Sequence, residues 1–273
     1  MIALAEGESH LENRVGSSLP CSSRSLPVSG LSRRVVVQMA SSASDWEQAF
    51  ALAASSYQSR GYESPGVSRL RFTPYHALPD TVTLVAREGE RVIATLSIVQ
   101  DNTLMGLPME CVYAEEIAAL RREGRRLFEV TTLADSGLGV REFVSVFVAL
   151  IRLATQYHTH TGGDTGVIAV NPRHRAFYTR MLGFIELGPR RSYAAVQDHP
   201  AEALWIDEKL MRRNTPDMHA TIFGERVPRE ALTASRLPHP LIRHFSQQSS
   251  LCDTDHIEAI LSQTERDGSP RRW

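Results

Sequence analysis

The chain has 273 residues, 42% apolar and 22% charged, with 30 basic against 31 acidic side chains. That length bounds it to one large domain or two small ones with a buried core, and 17 glycines with 14 prolines exclude a collagen-like or wholly disordered chain. A formal charge of -1 excludes the global basic excess of a nucleic-acid coat or a membrane-surface binder and leaves room for a local patch.

Eleven of the first 44 residues are serine and no hydrophobic period is sustained there, so 1–33 reads as a disordered leader. Glu6, Glu8 and Glu12 stand where a signal peptide would be basic, and no apolar run approaches the roughly 18 residues of a membrane span. Cys21, Cys111 and Cys252 have no zinc or disulfide spacing. A cytoplasmic location and no metal are the expectations.

Order is expected from a β-branched strand at 34–39, followed by a helix capped at Ser44-Asp45 with Trp46, Phe50, Leu52, Ala53 and Tyr57 at helical spacing, ending near Gly61. Residues 62–80 read as an irregular functional loop rich in arginine and proline. A hairpin at 81–99 turns at Gly89, and a short amphipathic helix over 113–122 closes at Gly124. The run 126–133 reads as a central strand interrupted by Glu129. The segment 135–139 then leads into a buried apolar helix over 141–157, and 166–170 reads as an interior parallel strand.

Asn171-Pro172 starts another helix, ended by Gly183. The strands expected next are 184–187, 191–196 and 203–206, and beyond them lie helical segments near 208–213, 228–235 and 255–263 with a polar tail. The order predicts an α/β (α+β) layer with one mixed central sheet flanked by helices, a ligand at the carboxyl ends of its strands, and a helical C-terminal extension over 208–273.

The residues Val170-Asn171-Pro172-Arg173-His174-Arg175-Ala176-Phe177-Tyr178-Thr179-Arg180-Met181-Leu182-Gly183-Phe184 resemble the signature of the GCN5-related N-acetyltransferase (GNAT) superfamily. Together with 46–62, the 81–99 hairpin, Gly106-Leu107-Pro108-Met109 and Arg126-Leu127-Phe128-Glu129-Val130, the stretch 34–207 is similar to the long-chain N-acyl amino acid synthases. The resemblance implies an acyltransferase moving a fatty acyl group from acyl carrier protein, or from acyl-CoA, to the α-amine of an amino acid, with no tightly bound cofactor. Its rivals are an acetyl-CoA-dependent N-acetyltransferase, an acyl-homoserine-lactone-type synthase, and a degenerate fold that binds an acyl carrier or lipid.

Candidate roles follow. Glu129, a carboxylate in an apolar strand, reads as a general base with a raised pKa, or as a structural partner of Arg141 or another arginine. Tyr178 stands where the superfamily has a proton donor to the leaving thiolate, though it is five residues from Gly183 where four is common, which favours core packing equally. Donor contacts are assigned to Val130, Thr131, Leu133, Gly137, Gly139 and Asn171, with the 135–139 loop aiming N–H groups at a phosphate. Ala134 departs from the usual first position of the superfamily's pyrophosphate loop, and Thr132 stands where relatives often have arginine. Arg60, Arg69 and Arg71 are candidates for the acceptor carboxylate, and Phe128, Phe143 and Phe147 for the acyl slot. Arg173, His174 and Arg175 form a basic cluster able to dock an acidic carrier protein. Lys209 is the only lysine, which leaves little room for amine nucleophile chemistry.

Overall fold

The strands at 82–88, 91–100, 127–135 and 165–170 are buried at nearly every position, because helices cover both faces of the one sheet. The computed structural model describes residues 24–266. Its strands are β1 (Leu26–Pro27), β2 (Val35–Met39), β3 (Val82–Glu88), β4 (Arg91–Gln100), β5 (Leu127–Asp135), β6 (Thr165–Val170), β7 (Ile185–Tyr193) and β8 (His199–Asp207). They form a mixed sheet in the order β1-β2-β3-β4-β5-β6-β8-β7. Helix α1 (Ala43–Ser59) starts with a capping box between Ser42 and Asp45, and α2 is Glu110–Arg122. The mostly buried α3 (Val140–His160) and the short α4 (Arg175–Met181) follow.

Two cores result. On one face α3 packs with Leu84, Leu96, Phe128, Val130 and Tyr178. On the other, Trp46 and Phe50 of α1 and Tyr113 and Ile117 of α2 cover Val85, Val99, Leu127 and Val167.

Three expectations are corrected. Order begins before residue 34, because β1 pairs antiparallel with β2 and Arg33 bridges Glu88 and Glu142. A two-residue edge strand is held through its backbone, so serine- and proline-rich composition conceals it; residues 1–23 of the expected leader lie outside the described residues. The segments 184–187 and 191–196 are not two strands. One strand, β7, runs through Gly188-Pro189 by register shifts on either side of Gly188, a place where an edge strand admits proline. In the C-terminal extension, α5 (Glu208–Asn214), the turn at Arg229–Leu232 and α8 (Thr254–Arg266) match expected segments, whereas α6 (Pro216–Phe223) and α7 (His239–Ser246) do not.

The extension contributes to both cores: Ile222 and Leu232 to the α3 face, and Ile242, Phe245, Ile257 and Leu261 to the α1 face. There the Phe245 ring meets Phe50 edge-on at 5.4 Å, and the Ser249 hydroxyl donates to the Phe72 carbonyl at 2.6 Å, so the extension fixes the loop that follows α1.

One local event positions the site. Parallel pairing of β5 with β6 covers Leu127↔Thr165, Phe128↔Gly166 and Glu129↔Val167 and then stops. The β4–β5 register shifts between Thr95 and Ser97, so that Leu96 alone stands opposite Thr132 and Leu133. Thr132 takes up the extra residue at φ +50°, a left-handed conformation that β-branched residues rarely adopt. A bulge of this kind bends its strand. Beyond Glu129 the two strands part, leaving a V whose inner edges have no strand partner.

Candidate active site

Glu129 occupies the apex of the V. Its side chain is 0% exposed and points to the α1–α2 face, where Oε2 accepts a hydrogen bond from the Met109 N–H at 2.8 Å. Oε1 is buried and has no partner. Burial pushes the carboxyl up to about 7, the single N–H bond opposing it too weakly to restore the ordinary value. Among the described residues no arginine pairs with it, and the Met109 N–H is its one hydrogen-bond partner.

Tyr75, Cys111 and Tyr193 feel the Glu129 charge. Burial raises all three groups first and the carboxylate adds to it, taking the Tyr75 phenol to about 12. The Tyr193 hydroxyl donates to the Pro108 carbonyl at 3.2 Å, at the head of α2. Tyr75, Tyr193 and the adjoining Met109 and Cys111 come from three separate segments, of which the sequence singled out 62–80 and Gly106–Met109.

Tyr178 lies on the other face, fully buried among Phe147, Phe177 and Phe184, with ring centroids 6.1, 5.2 and 6.1 Å away. Its hydroxyl is buried without a partner. Burial holds the phenol well above its ordinary value, and Tyr57 raises it further. Phe143 stacks on Phe147 at 5.6 Å, and both contact Phe177. Phe128 does not join this aromatic wall through its ring: it packs on His158 at 3.7 Å and closes over Gly166, whose added Cβ would lie 2.8 Å from its ring tip.

The three candidate acceptor arginines are not together. Arg71 is buried, donates to Glu63 at 2.7 Å and lies over the Tyr57 ring at 3.8 Å. Burial pushes the Tyr57 phenol up to about 12 against the pull of Arg71. Arg60 donates to the Ser56 carbonyl at 2.7 Å. Its charge, after burial and Arg173, helps hold the His174 imidazole down at about 4. Arg69 is exposed and lines an open cleft of about 590 Å³ with Gln58, Pro65 and Gln248 on the outer side of α1.

The basic cluster is smaller than its sequence suggests. His174 is neutral and accepts from Arg173 Nε at 3.1 Å, while Arg175 is paired with Glu186 and Glu202. Asn171 caps the turn after β6 by accepting the Arg173 N–H at 3.2 Å.

The turn after β5 differs in chemistry from the apex. Asp135 is the last residue of β5, not part of a loop, and its Oδ1 accepts from the Gly137 and Leu138 N–H groups at 2.9 and 2.8 Å. Among the described residues no group of three or more His, Cys, Asp or Glu side chains is placed to hold a metal, and no helix is long and apolar enough to cross a membrane. His158 lies against Gln100 at 3.1 Å, and Asp164 pairs with Arg126.

A family model for the N-acyl amino acid synthase FeeM matches residues 48–207. The structure of FeeM, an N-acyl amino acid synthase from uncultured soil microbes, is similar at a TM-score of 0.57 and 28% identity, over 67% of this chain and 97% of that one. The AHL synthase LasI is similar in fold at a TM-score of 0.50 and 15% identity, over 71% of this chain and 96% of that one. No curated protein matches the sequence.

Proposed function

The chain belongs to the FeeM family of N-acyl amino acid synthases, and we propose that it transfers a long-chain fatty acyl group from the pantetheine arm of acyl carrier protein to the α-amine of an amino acid, with Glu129 as general base. The fold is GNAT-like and the chain is an N-acyltransferase. The observation that carries the finer reading is the unpartnered Oε1 of Glu129 at the apex of the V, on a carboxyl raised to about 7. A base tuned to that range is about half deprotonated at neutral pH and basic enough to take a proton from the attacking amine.

In this reading the donor's amide-rich arm lies along the free edges of β5 and β6 as an added strand, beside Val130, Thr131 and Leu133 and reaching Asn171. The acceptor approaches from the face of Tyr75 and Cys111. Amine nitrogen attacks the thioester carbonyl, the N–C bond forms and the C–S bond breaks. Glu129 takes the amine proton, and the thiolate leaves with a hydrogen bond from Tyr178. Burial makes that phenol a weak acid, so its part is to stabilise the leaving sulfur more than to surrender the proton. The acyl chain packs on the aromatic wall of Phe143 and Phe147, with Phe128 below it. Of the three candidate arginines, Arg71 is buried and paired with Glu63, Arg60 is bonded to Ser56 beside the basic mouth and Arg69 faces the outer cleft, so the acceptor carboxylate is not assigned to any one of them.

The test is incubation of the pure protein with acyl carrier protein carrying a C12 to C16 chain and a pool of amino acids, with mass spectrometry of the products. An N-acyl amino acid is expected. Its absence with every acceptor overturns the proposal.

A further inference from the structure

We infer that Arg121 is a positioning residue for the base: it clamps Asp101 and Glu110 together, holds the Gly106–Met109 turn against β5, and so fixes the one N–H that reaches Glu129 and the pH range over which Glu129 takes a proton. This rests on the acyl-transfer reading above, in which Glu129 is that base.

The clamp depends on a break in α2. Eleven residues of unbroken helix span about 16 Å, yet Arg121 bonds Glu110, because the path leaves helical geometry at Tyr113 (φ −121°, ψ 37°) and brings the first turn within reach. One guanidinium then serves two carboxylates on its two edges. Nε and Nη2 donate to Asp101 at 2.8 and 2.6 Å, and Nη1 and Nη2 donate to Glu110 at 2.7 and 2.5 Å. A lysine cannot reproduce that double fork.

Both carboxylates act on the path to Glu129. Asp101 directly follows β4, and its N–H donates to the Leu127 carbonyl of β5 at 3.1 Å. Glu110 Oε1 accepts the Leu107 N–H at 2.5 Å and lies over Gly106, where any Cβ would collide with it. That collision, with a φ of +66°, accounts for glycine at 106. Two residues after Leu107, the Met109 N–H meets Glu129 Oε2.

Loss of Arg121 acts on Glu129 in one direction. A carboxylate that loses an N–H donor binds its proton more tightly, and so does one whose acidic neighbour has lost its cation; the Glu110 charge already raises Glu129. The other groups facing Glu129 are Tyr75 from the loop before β3, Cys111 of α2 and Tyr193 of β7. All three are raised by burial and uncharged at neutral pH, so none offsets the change.

The experiment titrates the full chain by NMR, with 13C in the glutamate carboxyls and 15N in the methionine amides; Glu129→Gln and Met109→Leu assign the two signals. In the parent the Glu129 carboxyl is expected to titrate near 7, with the Met109 amide proton following it. In Arg121→Met the carboxyl midpoint is expected to rise by about one unit, and the Met109 amide to lose most of its response. In turnover, kcat should then be about fivefold lower at pH 7 and recover by about pH 9. Arg121→Lys keeps the charge without the double fork and should move the midpoint less; it carries the test if circular dichroism shows Arg121→Met unfolded. An unmoved midpoint in Arg121→Met, or in Arg121→Lys where that variant alone folds, overturns the inference and leaves Arg121 a structural role. The titration needs no turnover, so a moved midpoint in a protein that acylates no amino acid, or whose kcat ignores the shift, overturns the reading of Glu129 as base alone.

Discussion

The two ends of the free stretch of β5 carry one buried carboxylate each, and the fold treats them oppositely. Glu129 at the apex receives one backbone N–H and Asp135 at the exit receives two, which seal a turn; each keeps its other oxygen buried without a partner. Each backbone donor favours the charged form and consumes an acceptor site. The number of backbone N–H donors, one against two, is what differs between them. Burial alone does not separate them, since both are nearly inaccessible.

The largest expected effect tests the apex. Glu129→Gln keeps the acceptor for the Met109 N–H and removes the base, so kcat is expected to fall at least about 100-fold with the fold retained. The parent's kcat should rise with pH through about 7, where the carboxyl loses its proton, and the variant's should not. An unchanged rate or an unchanged pH profile would assign Glu129 to structure and erase the contrast with Asp135.

Stability gives a second reading of the same group. The folded carboxyl titrates near 7 against an ordinary value of 4.5, so its contribution is present in full below 4.5 and is lost as pH rises through 7. Denaturant unfolding from pH 4 to 8 should therefore show Glu129→Gln gaining on the parent across that window, by up to about 3 kcal/mol, with constant offsets cancelling. A flat difference would mean that the carboxyl is not raised.

Much of this was legible in the sequence. A single carboxylate in an apolar strand run marked Glu129, and glycines at 61, 89, 124 and 183 marked the ends of elements at which each adopts a positive φ. Strand alternation sends Phe128 and Glu129 to opposite faces, which places Phe128 in the α3-side core with Phe143 and Phe147. What was not legible is long-range. Tyr75, Met109, Cys111 and Tyr193 converge on Glu129 from distant segments. The pairing that neutralises Arg175 joins three elements, and α6 and α7 are too short for periodicity to declare them. Asp135 lay in between: Asp-Ser-Gly is an Asx-turn signal, but strand and loop share that residue.

A smaller effect probes the opposite wall of the V. Tyr178→Phe removes a buried hydroxyl that has no partner, so thermal or denaturant stability should rise by about 1 kcal/mol. If that hydroxyl supports the leaving sulfur, kcat should fall about tenfold in the same variant. Higher stability with an undiminished kcat would leave Tyr178 as packing and place the asymmetry of the site wholly on the Glu129 face.

The smallest effect belongs to the bulge that separates the two carboxylates. Thr132 holds φ +50°, which costs a residue with a Cβ about 1–2 kcal/mol that glycine does not incur. Thr132→Gly relieves this and removes an unpaired hydroxyl, but it also gives up a buried methyl and adds backbone freedom to the unfolded chain, about 1 kcal/mol each way. The net change in unfolding free energy should thus stay within about 1 kcal/mol. The backbone path sets the V, so kcat should change less than in Glu129→Gln. A loss well beyond that range would show that the Thr132 side chain, not the two-against-one register, bends β5 away from β6.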